Sequence, residues 1–455
     1  MHIQQFFIPG IAHSSYIVAG KNACAVIDPA RDVKRYIEAA REMGVRITHI
    51  METHLHADFV SGHLDLAEET GAEIYAPRSG KCTFPHRGLV EGDEVQLEDI
   101  VFCVIETAGH TPEHICYVTA DTSRGDTPVA LFSGDTLFVG DVGRPDLFPG
   151  KAEELASSLF SNLHNKIMTL PDECEVYPAH GMGSLCGRMM AAKRMSTVGY
   201  EKKYNYALKI RRIEDFVRAL TSDMPAAPDH FARCSEINRR GPLLMRDMKP
   251  PVAMEPVTFM RCMQGGDAVV LDTRSYPAFS GLHIPGSWHI DLSGNFATQA
   301  GWVIPPEKEI LLVVEYAWQA KEAALQLRRV GFDRIAGFLD GGLLAWGTAG
   351  YPIGRVPVVS PEEVNQLVRS GEAVLVDVRS WEEHQAGHAE GSIHIPWHDL
   401  RTRHGELDPE THTIVMCRGG QRASIAASIL LMHGFRLVSN LAGGFTAYQR
   451  AGFAE

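Results

Sequence analysis

Five residues in the first half of the chain carry metal-binding side chains, and each follows an apolar run. His54 and His56 stand two apart in THLHAD after the run ITHIM, His110 closes TAGH, Asp135 closes FSGD and His180 closes YPAH. Residues i and i+2 of an extended segment project to the same side, so His54 and His56 can converge on one ion. Strand ends are where α/β sheets gather functional groups. A mixed set of imidazole and carboxylate suits Zn, Fe or Mn. Asp58, in the same HLHAD run, offers another carboxylate, and a zinc ion held by such a set would activate water for hydrolysis.

A second centre lies near the end of the chain. The apolar run TIVM leads into Cys417-Arg418-Gly419-Gly420-Gln421-Arg422 and then into a helical pattern, ASIAASILLMHG. A cysteine at the mouth of a helix has its thiolate stabilised by backbone N–H groups and the helix dipole. Gly419 and Gly420 let those amides turn inward around an anion, and Arg422 adds a cation. The spacing from Cys417 to Arg422 is C-x4-R, one residue shorter than the loop with which cysteine phosphatases encircle a phosphate, and it fits a single sulfane sulfur.

Several elements must position these residues. Up to about residue 178, short β-rich runs alternate with helical patterns such as DVKRYIEAAREMG and GHLDLAEETG, each closed by a glycine. The stretch KYNYALKIRRIEDFVRAL reads as helix, and the prolines of MPAAPDH and MKPPVAMEP break periodicity, placing a linker at residues 249–256. After it the chain repeats: LDTRSYPAFSGLHIPGSWHI returns as VDVRSWEEHQAGHAEGSIHI, with Asp272, Arg274, His283 and Ser287 recurring as Asp377, Arg379, His388 and Ser392. Two copies of roughly a hundred residues are a duplicated domain rather than a solenoid, and each alternates strands and helices as a small doubly wound α/β domain. At the place of Cys417 the first copy has only Glu315-Tyr316-Ala317-Trp318, and its Cys262 falls on an earlier helix. Three domains are expected, over 1–250, 251–354 and 355–455.

Composition narrows the function classes. A net charge of −13 argues against nucleic acid or an anionic membrane as partner. No apolar run reaches bilayer-spanning length. Nine cysteines, an odd number without paired spacing, argue against a disulfide framework. A cytoplasmic setting is expected, and a homo-oligomer is compatible with it.

The histidine pattern resembles the metallo-β-lactamase superfamily, H-x-H-x-D-H followed by His, Asp and His. Position 59 departs from it, being Phe where the two-metal hydrolases have His. THLHADFVSG, AGHTPEH, SGDTLFVGDVGRPDL, PAHGMGS and TVGYEK resemble the persulfide dioxygenase branch, in particular its fusions to rhodanese domains, and Cys417 with its loop resembles a rhodanese. The resemblance implies an αββα sandwich followed by two rhodanese-like doubly wound domains, the first of them inactive. It implies one Fe(II) per chain on His54, His110 and Asp135, with coordination positions left for a persulfide sulfur, O2 and water. His56, Asp58 and His180 become neighbours of the centre, or ligands if zinc is bound. The implied partners are a small-molecule thiol persulfide, O2, sulfite and thiosulfate. The other reading is a Zn-dependent thioesterase of the glyoxalase II type fused to a rhodanese.

Further expectations concern the surroundings. Arg144 either orients an anionic substrate or steadies Asp135. Cys186 is either a sulfur-carrying thiol or a small buried hydrophobe. His13 and His114 read as ordinary turn residues, while Tyr200 and Lys202 are candidates to touch the thiol carrier.

Overall fold

Alternating apolar residues in the first 200 positions build two six-stranded sheets that bury one face of each against the other. In the computed structural model, which describes residues 1–222, 224 and 226–454, the first sheet runs in chain order through His2–Ile8, His13–Ala19, Ala23–Ile27, Arg46–Met51, Glu73–Pro77 and Arg87–Leu89. The second runs Ser196–Thr197, Glu175–Pro178, Ala130–Gly134, Ile115–Asp121, Ile100–Glu106 and Glu94–Leu97. Tyr16, Val18, Ile27 and Met51 meet Phe102, Val104, Tyr117 and Phe132 between the sheets. Truncating a fully buried ring such as Phe132 to Ala would cost about 3–5 kcal/mol.

Helices cover the outer faces, which makes the unit an αββα sandwich. Tyr36 and Leu66, from helices Lys34–Glu42 and His63–Thr70, pack on Val26, Ile50 and Ile74 of the first sheet. Leu159 and Phe216, from Ala152–Asn165 and Ile213–Thr221, pack on Leu131 and Val176 of the second. The expected helix over KYNYALKIRRIEDFVRAL is broken. A helix ends at Tyr204, a 3-10 turn occupies Ala207–Lys209, and a new helix starts at Ile213. Asn205 is the cause. Its buried side chain donates to the Asp141 carbonyl at 3.0 Å and accepts the Ala207 N–H at 3.0 Å, competing with helical hydrogen bonds.

The chain forms two compact units, the first built on Met1–Met248 and the second beginning at Lys249. The second unit holds two five-stranded parallel sheets of identical order. One runs Val252–Met254, Ile335–Leu339, Glu309–Val313, Ala268–Asp272, Trp288–His289, and the other Val358–Val359, Val438–Leu441, His412–Met416, Ala373–Asp377, Ile393–His394. The stretch expected as a linker is therefore partly a strand: Val252–Met254 pairs in parallel with Gly337–Leu339. The prolines flank it, and its place at the sheet edge tolerates their missing N–H groups. Of MPAAPDH, residue 225 lies outside the described residues, and a helix begins at His230.

The duplication extends to side chains. Arg274 donates to Asp272 at 2.6 Å and Arg379 to Asp377 at 2.6 Å, while His289 and His394 bond the carbonyls of those arginines at 2.9 and 3.0 Å.

Candidate metal centre and cysteine loop

The loops that follow four strands of the sandwich carry the five metal-binding residues to one place. His54 Nε2 and His110 Nε2 lie 3.8 and 3.3 Å from Asp135 Oδ2. The ligand atoms of these three buried residues all fall within 4.8 Å of one another. Each imidazole is fixed through its other nitrogen. His110 Nδ1 donates to the Arg144 carbonyl at 2.8 Å. Thr53 Oγ1 donates to Asp28 at 2.9 Å and so accepts from His54 Nδ1, also at 2.9 Å. Both Nε2 lone pairs therefore face Asp135, buried and without a hydrogen-bond partner. Orphaned acceptors converging on a carboxylate are what a cation would satisfy. Burial holds His54 and His110 below the usual imidazole range, keeping them neutral as ligands must be.

His180 is not part of that trio. Its Nδ1 donates to Asp135 Oδ1 at 2.7 Å and its Nε2 pairs with Asp58 Oδ2 at 2.8 Å. Burial opposes its charge, but Asp135 and Asp58 outweigh burial and hold the imidazolium well above the ordinary value. The same charge, opposing burial, keeps Asp135 well below the usual carboxylate range. His56 turns aside: its Nε2 lies 3.2 Å from Asp28 and 3.8 Å from Glu52. Phe59 is fully buried, its ring 4.1 Å from that of His13 and 4.4 Å from that of His56. Asn238, on helix His230–Arg240, donates to the His56 and Phe59 carbonyls at 2.8 Å each and accepts the Ser61 N–H at 2.9 Å, setting the path of the loop.

Arg144 contributes its carbonyl; its guanidinium forks onto Asp146 at 2.7 Å through both Nε and Nη2 and donates to the Leu185 carbonyl, so its charge is spent locally. Cys186 is buried among Ala57, Phe138, Met190 and Phe231, yet its Sγ lies within 4.8 Å of ligand atoms of Asp58 and His180. Burial and the two nearby carboxylates push its thiol well up. His13 begins a strand rather than lying in a turn, His114 follows a turn, and both are buried. His114 accepts the Asp135 N–H at 2.9 Å, donates to Thr107 Oγ1 at 2.9 Å and stacks on His54 at 4.7 Å. Its recurrence four residues after His110 in AGHTPEH was the available signal. Lys202 pairs with Asp172 at 2.6 Å, and Tyr200 is exposed beside Tyr204.

In the last domain the strand His412–Met416 delivers Cys417 to the start of helix Gln421–Met432. The Gly420 N–H donates to Cys417 Sγ at 3.0 Å. Arg422 does not face the sulfur alone; it forks onto Glu383 at 2.5 and 2.8 Å. Glu383 also completes a capping box with Ser380. Gly444 closes the loop from behind, where a Cβ would meet the Cys417 carbonyl at 2.2 Å. Arg418 and Gly419 are exposed. In the other copy, strand register sets Val313 where Met416 stands, so Val314 occupies the cysteine position. There Gln319 Oε1 accepts the Tyr316 N–H at 2.9 Å, filling the loop with its own side chain. Cys262 packs half-buried against the hydrophobic core of that copy. Every cysteine of the chain is a free thiol.

The family pattern described as "Metallo-beta-lactamase superfamily" matches residues 8–180, and "Rhodanese-like domain" matches twice, over 256–349 and 360–451. A metallo-beta-lactamase from Staphylococcus aureus subsp. aureus COL superposes with a TM-score of 0.67 at 34% identity, covering 74% of this chain and 98% of that one. The chain belongs to the metallo-β-lactamase superfamily. Its metallo-β-lactamase domain is followed by two rhodanese-like domains, and both domain types are those of enzyme families. Curated relatives of the metallo-β-lactamase domain carry two kinds of name. A hydroxyacylglutathione hydrolase of Rhodospirillum rubrum is 39% identical over 160 residues, 35% of this chain and 57% of the relative, so the chain spans little more than half of it. The mitochondrial persulfide dioxygenase ETHE1 of Bos taurus is 29% identical over 223 residues, 48% of this chain and 80% of the relative. Among the described residues no helix is long and apolar enough to cross a membrane.

Proposed function

We propose that the metallo-β-lactamase domain is a mononuclear Fe(II) persulfide dioxygenase and that the last rhodanese-like domain transfers sulfane sulfur through Cys417. The reaction of the first site is R–S–S⁻ + O2 + H2O giving R–SH, SO3²⁻ and H⁺. One observation carries this reading over a two-metal hydrolase: Phe59, fully buried and offering no donor atom, stands where the two-metal pattern has a histidine. His54, His110 and Asp135 would hold the iron, and two imidazoles with one carboxylate are the donor set of O2-using Fe(II) sites. When bound, Fe(II) supplies the meeting point for O2 and the terminal sulfur and the path for their electrons.

The chain's own residues do the rest. Burial keeps His54 and His110 neutral, and the Arg144 carbonyl and the Asp28–Thr53 relay turn each Nε2 inward. His180 keeps Asp135 anionic. Phe59 packs its ring against His13 and His56, and Ala57 joins Phe138 in a buried apolar cluster. At the second site the Cys417 thiolate attacks the outer sulfur of thiosulfate, the S–S bond breaks, sulfite leaves and a persulfide remains on Cys417. The reverse attack by sulfite regenerates thiosulfate, so the two sites share sulfite as product and reactant. Such a pair would serve sulfide detoxification, with the middle rhodanese-like domain inactive in transfer.

A second reading, a Zn-dependent thioesterase, is favoured by the 39% identity to the hydroxyacylglutathione hydrolase. Assaying metal-loaded protein on S-lactoylglutathione without O2, and on glutathione persulfide with O2, separates the two. The dioxygenase reading expects sulfite only from the second; thioester cleavage without sulfite formation would replace it.

A further inference from the structure

We propose that Tyr276, in the rhodanese-like domain that lacks the cysteine, is a positioning residue for Cys417 and acts through Gly420. The inference rests on the reading of Cys417 as the sulfur-carrying nucleophile. Gly420 is the buried last residue of the cysteine loop; its N–H donates to Cys417 Sγ at 3.0 Å and its carbonyl accepts Asn440 Nδ2 at 3.1 Å. Its φ of +115° is open to glycine and strained for other residues. That freedom is also a weakness. As the residue capping the helix, Gly420 has its carbonyl held by Ser424 N–H and Asn440, while the aim of its N–H at the sulfur depends on what packs against the glycine.

Tyr276 does that packing. A methyl group built on Gly420 would lie 3.0 Å from Tyr276 Cζ and 3.3 Å from its hydroxyl oxygen. The ring therefore lies directly over the Gly420 backbone. Two neighbouring contacts hold the same seam: Gln421 Nε2 donates to Ser293 Oγ at 3.1 Å, and the His289 N–H donates to Ser428 Oγ at 3.1 Å on the same helix. A recess of about 370 Å³ lined by Asp291, Ser293, Asn295, Gln421 and Arg422 continues along it. The duplication provides an internal control. Trp381 stands 105 residues on, at the position equivalent to Tyr276, and is 60% exposed. The loop of the inactive copy has Ala317 where Gly420 stands. An aromatic ring over a glycine loop thus occurs on the cysteine-bearing copy, supplied by the copy without one.

A hydrogen bond to an anionic sulfur is stronger than one to a neutral thiol. Fixing the Gly420 N–H toward Sγ therefore favours the thiolate that attacks a sulfane sulfur. The test uses the full chain with Tyr276→Ala and Tyr276→Phe. Two quantities are read: kcat and KM for thiosulfate-dependent sulfur transfer, and the pH profile of iodoacetamide alkylation at Cys417, followed by peptide mass mapping. Tyr276→Ala is expected to lower kcat about tenfold with KM little changed and to move half-maximal alkylation to higher pH. Tyr276→Phe, which keeps the ring, is expected to restore both. Should Tyr276→Ala fail to fold, Tyr276→Leu takes its place with the same readouts. An unchanged alkylation profile, whether or not kcat falls, overturns the proposal. If Cys417→Ser still transfers sulfur, the underlying reading fails instead, and that outcome is distinct.

Discussion

His180 donates through Nδ1 to the Asp135 carboxylate at 2.7 Å while its Nε2 lies 2.8 Å from Asp58 Oδ2, so one imidazole is clamped between two buried acids. This sets a pH signature in metal-free protein. The charge of His180 is favoured in the fold, so its contribution to stability is complete below about pH 6.5, the unfolded value. It is lost progressively as pH rises toward the higher folded value. Asp135 has the opposite sign: its contribution is complete above about pH 3.9 and is lost only as pH falls through the depressed folded value. The metal-free protein should therefore lose melting temperature as pH rises above about 6.5 through the His180 contribution. His180→Asn should flatten that slope, and parallel curves for the two proteins would contradict the clamp.

Cys417→Ser should abolish sulfur transfer and leave sulfite production from a thiol persulfide intact. Separate assays of thiosulfate-dependent transfer and O2 uptake check this. Loss of both activities would show that the two sites do not work independently.

Glu383→Gln should weaken sulfur transfer although Glu383 is not in the C-x4-R motif. It removes the charge that Arg422 forks onto at 2.5 and 2.8 Å and leaves a half-buried guanidinium unbalanced beside the loop. The pair is partly solvent-exposed, so a stability loss of about 1 kcal/mol is expected from denaturant unfolding. A roughly tenfold fall in transfer rate should accompany it as Arg422 and the loop lose their fixed geometry. A rate equal to wild type would assign the pair to helix capping alone.

Asn238→Ala should cost roughly 3 kcal/mol, because it strips the His56 and Phe59 carbonyls and the Ser61 N–H of their buried partner. The loop carrying His54 would loosen, and metal affinity, measured by competition with a chelator, should fall about tenfold or more. Full stability with full affinity would mean that water replaces the amide at no cost.

Much of the molecule was legible because its chemistry sits in short motifs. His54, His110, Asp135 and Cys417 each follow an apolar run, and period-two patterning places such runs in strands. The duplication was readable because Asp272, Arg274, His283 and Ser287 recur as Asp377, Arg379, His388 and Ser392; the matching bonds of His289 and His394 appear only in the fold. What was not legible depends on distant contacts. Nothing near Arg144 tells that its carbonyl serves His110 while its guanidinium is spent on Asp146. Asn238 lies 184 residues beyond His54 in the chain and meets its loop only through folding. Glu383 completes a capping box with Ser380, and its hold on Arg422 required the tertiary fold. The strand Val252–Met254 was hidden by flanking prolines, and the long helical pattern after Lys203 by the buried partners of Asn205.

The most direct test of the central claim is metal analysis of anaerobically purified protein together with O2 uptake on glutathione persulfide and coenzyme A persulfide. The account predicts about one iron per chain, with O2 consumed and sulfite formed in equal amounts. Two zincs per chain, with no O2 consumed, would contradict it and return the first domain to the hydrolases.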